Sequence, residues 1–239
     1  MLQKLLSRVR KAVTDYDMIQ KGDKIAVGVS GGKDSIALLY CLNALRRFYP
    51  EKFDIVAITL SLGNPDFDIN SLIELYEKIG VEYHIENTNI AEIVFDIRKE
   101  KNPCSLCSNM KRGILYSTAK NLGCNKAAFG HHKDDVIETL LLSLFYEGRI
   151  NTFSPVTYLD RTDITLIRPL IYTEEKMIQS FVRNEGITPV KSGCRVDGMT
   201  KRQFIKDHIE ALMEENPNTK DNLFGAIMRN GMKGWHLPL

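Results

Sequence analysis

The chain has 239 residues, a length that suits one large α/β domain or one domain with a small appendage, and 44% of them are hydrophobic, enough to bury a core. Its 32 basic residues nearly balance 30 acidic ones, a formal charge of +2, which excludes a wholly basic nucleic-acid binder; any RNA site must be a local patch on a mixed surface. No stretch approaches the roughly 20 apolar residues of a membrane helix, and the basic opening from Met1 to Lys11 lacks the apolar core of an export signal, so a cytoplasmic protein with no membrane partner is expected, whose five cysteines ask for a metal or redox reading.

In chain order, residues 2–20 read as a basic amphipathic helix with Leu2, Leu5, Leu6, Val9 and Val13 on one face. Gly22-Asp23 turns the chain into an apolar run of strand length at 24–29, followed by a glycine loop and a helix over 35–48. A second strand is expected over 53–60, a helix over 70–79, a third strand over 81–85 and the end of a fourth at 127–129, followed by a helix over 134–146. Residues 155–168 fit a short hairpin, and 173–229 read as three helical pieces interrupted over 189–198. The tail, 231–239, reads as loose or irregularly docked. Strands alternating with helices imply βαβ units, hence an α/β fold with a doubly wound, mostly parallel sheet and a helical C-terminal part. The expected division is a nucleotide-binding α/β domain over 1–170, including the basic helix, and a helical part over 171–239 packed on it.

The loop Ser30-Gly31-Gly32-Lys33-Asp34-Ser35 sits between a strand and a helix. Two glycines let the backbone turn tightly and aim N–H groups at an anion, and the helix start adds its dipole and unpaired donors. The Ser30 and Ser35 hydroxyls can bond phosphate oxygens, and Lys33 adds positive charge. Asp34 is an odd neighbour for a phosphate unless it holds Mg2+ or caps the helix. The spacing is not that of a Walker A loop, which needs four residues between its first Gly and the Gly-Lys pair. It matches the S-G-G-x-D-S signature of PP-loop ATPases, which adenylate a substrate and release pyrophosphate. An ordinary glycine turn is the bland alternative, and the six matched residues in the right slot weigh against it.

Gly130-His131-His132-Lys133-Asp134-Asp135 follows the fourth strand and opens a helix. Asp135, Glu138 and Thr139, at i, i+3 and i+4, share a face. Asp134 or Asp135 can cap that helix and orient Mg2+. His131 and His132 stand at the carboxyl end of a strand, where open α/β sheets bind ligands. Thr59-Leu60, at the end of the second strand, is a weaker candidate for contact with adenine.

Cys104 and Cys107 form a C-x-x-C pair in a loop, with Lys111-Arg112 on the helix that follows it; Cys194 lies far along the chain. Cys41 and Cys124 read as buried small hydrophobes. A lone C-x-x-C admits half a zinc site, a redox pair or part of an iron–sulfur cluster, and the residues alone do not rank the three.

Together these segments resemble the tRNA 2-thiocytidine synthetase family of PP-loop enzymes, from about Tyr16 to Met228. The motifs that carry the likeness are Ser30 to Ser35, the run from Cys104 to Tyr116, Gly130 to Thr139, and Ile167-Arg168-Pro169-Leu170. The resemblance implies an enzyme that uses ATP and Mg2+ to adenylate the C2 oxygen of a cytidine in the tRNA anticodon loop, at position 32, and replaces that oxygen with sulfur. It implies a 4Fe-4S cluster on Cys104, Cys107 and Cys194, with Lys33, Asp34 and Asp135 catalytic. It also implies that Gly130, His131 and Arg168 join Ser30 to Ser35 and Thr59 at the nucleotide. Where the family carries a C-x-x-C around Cys194, this chain has Lys191 at the earlier position. The implied partners are tRNA and a sulfur donor such as a cysteine desulfurase or sulfide, and the reading allows a homodimer. Lys4, Arg8, Lys11, Lys111, Arg112, Lys201, Arg202 and Lys206 are the candidate phosphate contacts to RNA. The rival readings are a lysidine-type ligase, which needs no thiol trio, and a non-catalytic nucleotide- or RNA-binding redox module.

Overall fold

The computed structural model describes residues 1–64, 66–99, 103–190 and 201–235. Its centre is a six-stranded sheet in the order β3-β2-β1-β4-β6-β5, built from β1 (Lys24–Gly28), β2 (Asp54–Ser61), β3 (Glu82–Asn87), β4 (Lys126–Ala128), β5 (Val156–Leu159) and β6 (Ile164–Ile167). All neighbouring pairs are parallel except the β5–β6 hairpin. The chain leaves β1 toward β2 on one side and returns to β4 on the other, which opens a crevice beyond the carboxyl ends of β1 and β4.

The central strand explains its own position. Ile25 and Val27 point into one apolar cluster and Ala26 into another, so β1 is covered on both faces, as parallel sheets require. On the first face lie α1 (Leu2–Asp15), α2 (Lys33–Leu45) and α6 (Glu175–Asn184), which pack on one another. α4 (Pro103–Asn121) covers the other face through Leu115, Tyr116 and Ala119. β3 is an edge strand whose charged, partly exposed side chains discourage further pairing. α3 (Ile69–Ile79) is bounded by Asp68, whose carboxylate accepts from Ser71 N–H, and by Gly80 in the left-handed conformation.

α5 (Lys133–Leu142) and α7 (Lys201–Glu215) share a smaller cluster of Ile137, Leu141, Ile205 and Ile209. α8 (Thr219–Arg229) packs on both, and its Ile227 joins the main core. The tail is docked as far as Trp235, which is 1% exposed and edge-on to Tyr16 and Phe224. Among the described residues no helix is long and apolar enough to cross a membrane.

Three local expectations change. The basic helix ends at Asp15, not residue 20, because Asp17 takes φ 46° and turns the chain. The helix expected over 134–146 is α-helical only to Leu142 and continues as a π-helical turn over Ser143–Glu147; another such turn, Glu92–Ile97, follows β3. The Cys104–Cys107 pair lies in the first turn of α4 rather than in a loop, with Pro103 as the helix's first residue, where a proline costs no hydrogen bond.

Candidate active site

Two loops meet at the crevice. In the first, Ser35 Oγ donates to Gly32 O at 2.9 Å and accepts from Ser30 N–H at 3.2 Å. Gly32 N–H reaches back to Ser30 Oγ at 3.4 Å. The opening N–H groups of α2 have no partner within the helix and point, with its dipole, at the loop. Gly31 has φ +82°, and its carbonyl accepts from Val190 N–H at 2.9 Å, so the residues after α6 buttress the turn.

The second loop lies directly on the first. A Cβ on Gly130 would stand 2.9 Å from both the carbonyl carbon and the oxygen of Asp34. His132, 3% exposed, follows as the N-cap of α5. Its backbone N–H donates to Asp135 Oδ2 at 2.9 Å, and Asp135 N–H donates to His132 Nδ1 at 3.4 Å, a reciprocal capping box. Nδ1 thereby acts as acceptor, and Nε2 faces Asp135 Oδ2 at 3.5 Å and Asp34 Oδ1 at 3.7 Å.

The acids divide by commitment. Asp134 Oδ2 accepts from Glu175 N–H at 2.7 Å and Oδ1 pairs with Lys220 at 2.7 Å, so this carboxylate ties α6 and α8 to α5. Asp34 and Asp135 line the cleft, Asp135 while it caps α5 through Oδ2 and pairs with Arg202 through Oδ1 at 3.4 Å. Among the described residues Asp34 Oδ1 is buried without a hydrogen-bond partner. An orphaned carboxylate oxygen beside an anion loop is what a divalent cation would complete, so the site fits Mg2+. Lys33 pairs with Asp34 at 3.1 Å and with Glu175 at 2.9 Å. Burial works against the charged lysine, yet these carboxylates hold its pKa above the usual value.

The loops open into a cleft of about 560 Å³, walled by Ile58, Leu60 and Leu62 at the end of β2 and by Ser108, Lys111, Arg112 and Leu115 of α4. That volume suits a nucleotide-sized ligand. Arg168, 7% exposed, also lines the cleft. It donates to Ser154 O and to Thr157 Oγ1, and its guanidinium lies 4.9 Å from the Phe153 ring centroid. No carboxylate pairs with it among the described residues, and burial lowers it to about 10, which leaves it a cation. His131, beside it, packs between Phe129 and Phe153; burial and the Arg168 charge push it to about 4, so it is neutral at physiological pH.

Of the residues singled out in the sequence, Ser30, Asp34, Ser35, Gly130, His131, Asp135 and Arg168 line this one cleft. Thr59 does not. It is fully buried on the opposite face of β2, where its hydroxyl donates to Val29 O and pairs with Tyr76 OH at 2.6 Å; strand alternation gives Ile58 and Leu60 to the cleft instead. Arg202 and Lys206, singled out for RNA, each pair with carboxylates of α5 and α6. Lys4, Arg8 and Lys11 stay together along a groove on α1. Phe67, in the loop after β2, escaped sequence reasoning; its position beyond a strand's carboxyl end is the signal that could have found it.

Cys104 is exposed and Cys107 half-buried, both free thiols three residues apart on one helix face. Cys41 and Cys124 are buried, and burial pushes both thiols up. The accessible pair, at the positive end of a helix, therefore fits ligation of an iron–sulfur cluster, as the buried pair does not. Cys194 lies outside the described residues, and among those residues no group of three metal-ligating side chains is assembled.

A family model described as a PP-loop domain matches residues 1–212. The tRNA-cytidine(32) 2-sulfurtransferase of Geobacter sulfurreducens is 40% identical over 228 residues, covering 94% of this chain and 89% of that protein. The enzyme of the same name from Pelobacter propionicus is 40% identical over 230 residues, covering 95% and 86%. Among solved structures, the U34-tRNA thiolase NcsA from Methanococcus maripaludis, with its 4Fe-4S cluster, superimposes with a TM-score of 0.75 at 24% identity over 94% of this chain and 77% of that one. The NH3-dependent NAD synthetase of Campylobacter jejuni superimposes with a TM-score of 0.51 at 16% identity over 100% and 98%. At such identities the structural likeness speaks for the fold. The long matches at 40% identity go further, and the chain belongs to the PP-loop domain family and, within it, to the tRNA-cytidine(32) 2-sulfurtransferases.

Proposed function

We propose that the protein adenylates the C2 oxygen of cytidine 32 in the tRNA anticodon loop and exchanges that oxygen for sulfur. One observation carries the reading: α4 bears Cys104 and Cys107 in its first turn and walls the nucleotide cleft from Ser108 onward, so sulfur chemistry and phosphate chemistry open onto a single space.

The order of steps follows from leaving groups. An amide-like C2 oxygen leaves poorly, so it first attacks the α-phosphate of ATP, forming a C2–O–P bond and releasing pyrophosphate. Sulfide then adds at C2, and AMP departs with the original oxygen. The loop N–H groups, Ser30, Ser35 and Lys33 neutralise the phosphates, and Asp34 with Asp135 would hold Mg2+. Arg168 adds a fixed positive charge within the cleft, while neutral His131 shapes the wall beside it. Bound to Cys104, Cys107 and Cys194, a 4Fe-4S cluster would supply sulfide-level sulfur, drawn from free sulfide or, with two electrons from a reductant, from the persulfide of a cysteine desulfurase. Lys111 and Arg112 at the cleft, with Lys4, Arg8 and Lys11 on α1, are the phosphate contacts proposed for tRNA.

The nucleotide products test the reaction class. Incubation with ATP and tRNA is expected to release pyrophosphate and AMP in a tRNA-dependent manner; ADP and orthophosphate would contradict it. The loop-on-loop packing makes its own prediction. Because a Cβ at Gly130 meets backbone atoms that no rotamer change can move, Gly130→Ala is expected to weaken ATP binding about tenfold or more in calorimetric titration, with an unchanged far-ultraviolet dichroism spectrum. Wild-type affinity in that variant would mean that the Gly130 contact does not shape the site.

A further inference from the structure

Lys33, in the phosphate loop, is the first rung of a ladder of alternating charges that ends at Asp135 in the cleft wall. Lys33 Nζ lies 2.9 Å from Glu175 Oε1, and Glu175 Oε2 lies 3.0 Å from Lys206 Nζ. Lys206 reaches Glu138 Oε1 at 3.7 Å, Glu138 Oε2 meets Arg202 Nη1 at 2.8 Å, and Arg202 Nη1 returns to Asp135 Oδ1 at 3.4 Å. The ends are Lys33, assigned above to the phosphates, and Asp135, assigned to Mg2+; the four residues between do not line the cleft. Glu175 is well fixed, as the first residue of α6 whose backbone N–H is held by Asp134. Burial alone would raise its carboxyl, but Lys33 and Lys206 together draw it down to about 2, so it stands as a full negative charge beside the phosphate loop.

A lysine claimed by a carboxylate is not wholly available to a triphosphate. We propose that Glu175 and Lys206 are positioning residues of the adenylation step: Glu175 holds Lys33 in place and competes with the phosphates for it, and Lys206 sets the strength of that competition by taking part of the Glu175 charge. The proposal rests on ATP binding at the Ser30–Ser35 loop and goes beyond it, because neither Glu175 nor Lys206 lines the cleft. It has an unusual signature in sign. Glu175→Gln keeps the size of the side chain but removes the competing charge, so ATP should bind more tightly, while Lys33, left with a single tether, serves turnover less well. Lys206→Met leaves the whole Glu175 charge to Lys33, so ATP should bind more weakly. Damage to packing would weaken binding in both variants.

The experiment is calorimetric titration of the full-length protein and the two variants with Mg2+-ATP, paired with steady-state pyrophosphate release. The expected result is a dissociation constant about two- to fivefold lower in Glu175→Gln and about two- to fivefold higher in Lys206→Met, the range that partly exposed ion pairs supply. In Glu175→Gln, kcat and the KM for ATP should both fall, and Glu175→Asp should restore kcat in part. Shifts in the same direction, or no shift in Glu175→Gln while the wild type binds ATP, would overturn the proposal. If the wild type itself failed to bind ATP, the nucleotide assignment beneath the proposal would fall first, and the two failures are thus told apart.

Discussion

Lys33→Ala and Asp34→Ala are each expected to lower tRNA-dependent pyrophosphate release by about 10²–10³-fold, the usual cost of removing one preorganised partner of transition-state charge. Lys33 is the ammonium of the phosphate loop, part-exposed at the start of α2 and oriented by Asp34 and Glu175. Asp34 brings to the cleft a carboxylate whose Oδ1 has no hydrogen-bond partner among the described residues. Neither side chain belongs to the apolar core, so both variants should fold and show wild-type melting behaviour. The losses should appear in kcat as well as in ATP affinity, because charge on the transferring phosphoryl group grows in the transition state. Wild-type turnover in either purified variant would remove that residue from the machinery. Loss accompanied by a collapsed melting temperature would instead assign it a structural role.

Cys104→Ala and Cys107→Ala are expected to lose the iron–sulfur cluster, and with it all thiolation, whereas Cys41→Ala and Cys124→Ala should keep both. The difference is one of access. The first pair stands three residues apart on the opening turn of α4, while Cys41 and Cys124 are sealed in separate apolar clusters with thiols that burial keeps protonated. Cys194→Ala should behave like the first pair by the family resemblance. Iron and sulfide content and visible absorption of anaerobically purified variants decide the matter. Full iron content in Cys104→Ala or Cys107→Ala would refute the ligand assignment.

Much of this architecture was legible in the sequence. Apolar runs of strand length, each closed by turn residues, located β1, β2 and β3, and the segment before Arg168-Pro169 read correctly as a hairpin. The i, i+3, i+4 spacing put Asp135, Glu138 and Thr139 on one face, and the structure shows all three against Arg202. What escaped depends on contacts between distant segments. Thr59 stands one residue from two cleft-lining neighbours, and the strand's two-residue period turns it to the far side; no local signal says which face of a fully buried strand will be open. Arg202 and Lys206 look like any basic helix surface until α5 and α6 bring Glu138 and Glu175 under them. The cysteine pair reads as a loop, yet α4 begins at Pro103, since the first helical turn accepts a proline.

If this cleft replaces oxygen by sulfur on cytidine 32, the product must carry that exchange and its formation must depend on ATP. The most direct measurement is nucleoside mass spectrometry of tRNA after incubation with the anaerobically reconstituted protein, Mg2+-ATP and sulfide. The expected product is 2-thiocytidine at position 32, formed only when ATP is present. Thiolation without ATP, or 2-thiouridine in place of 2-thiocytidine, would contradict it.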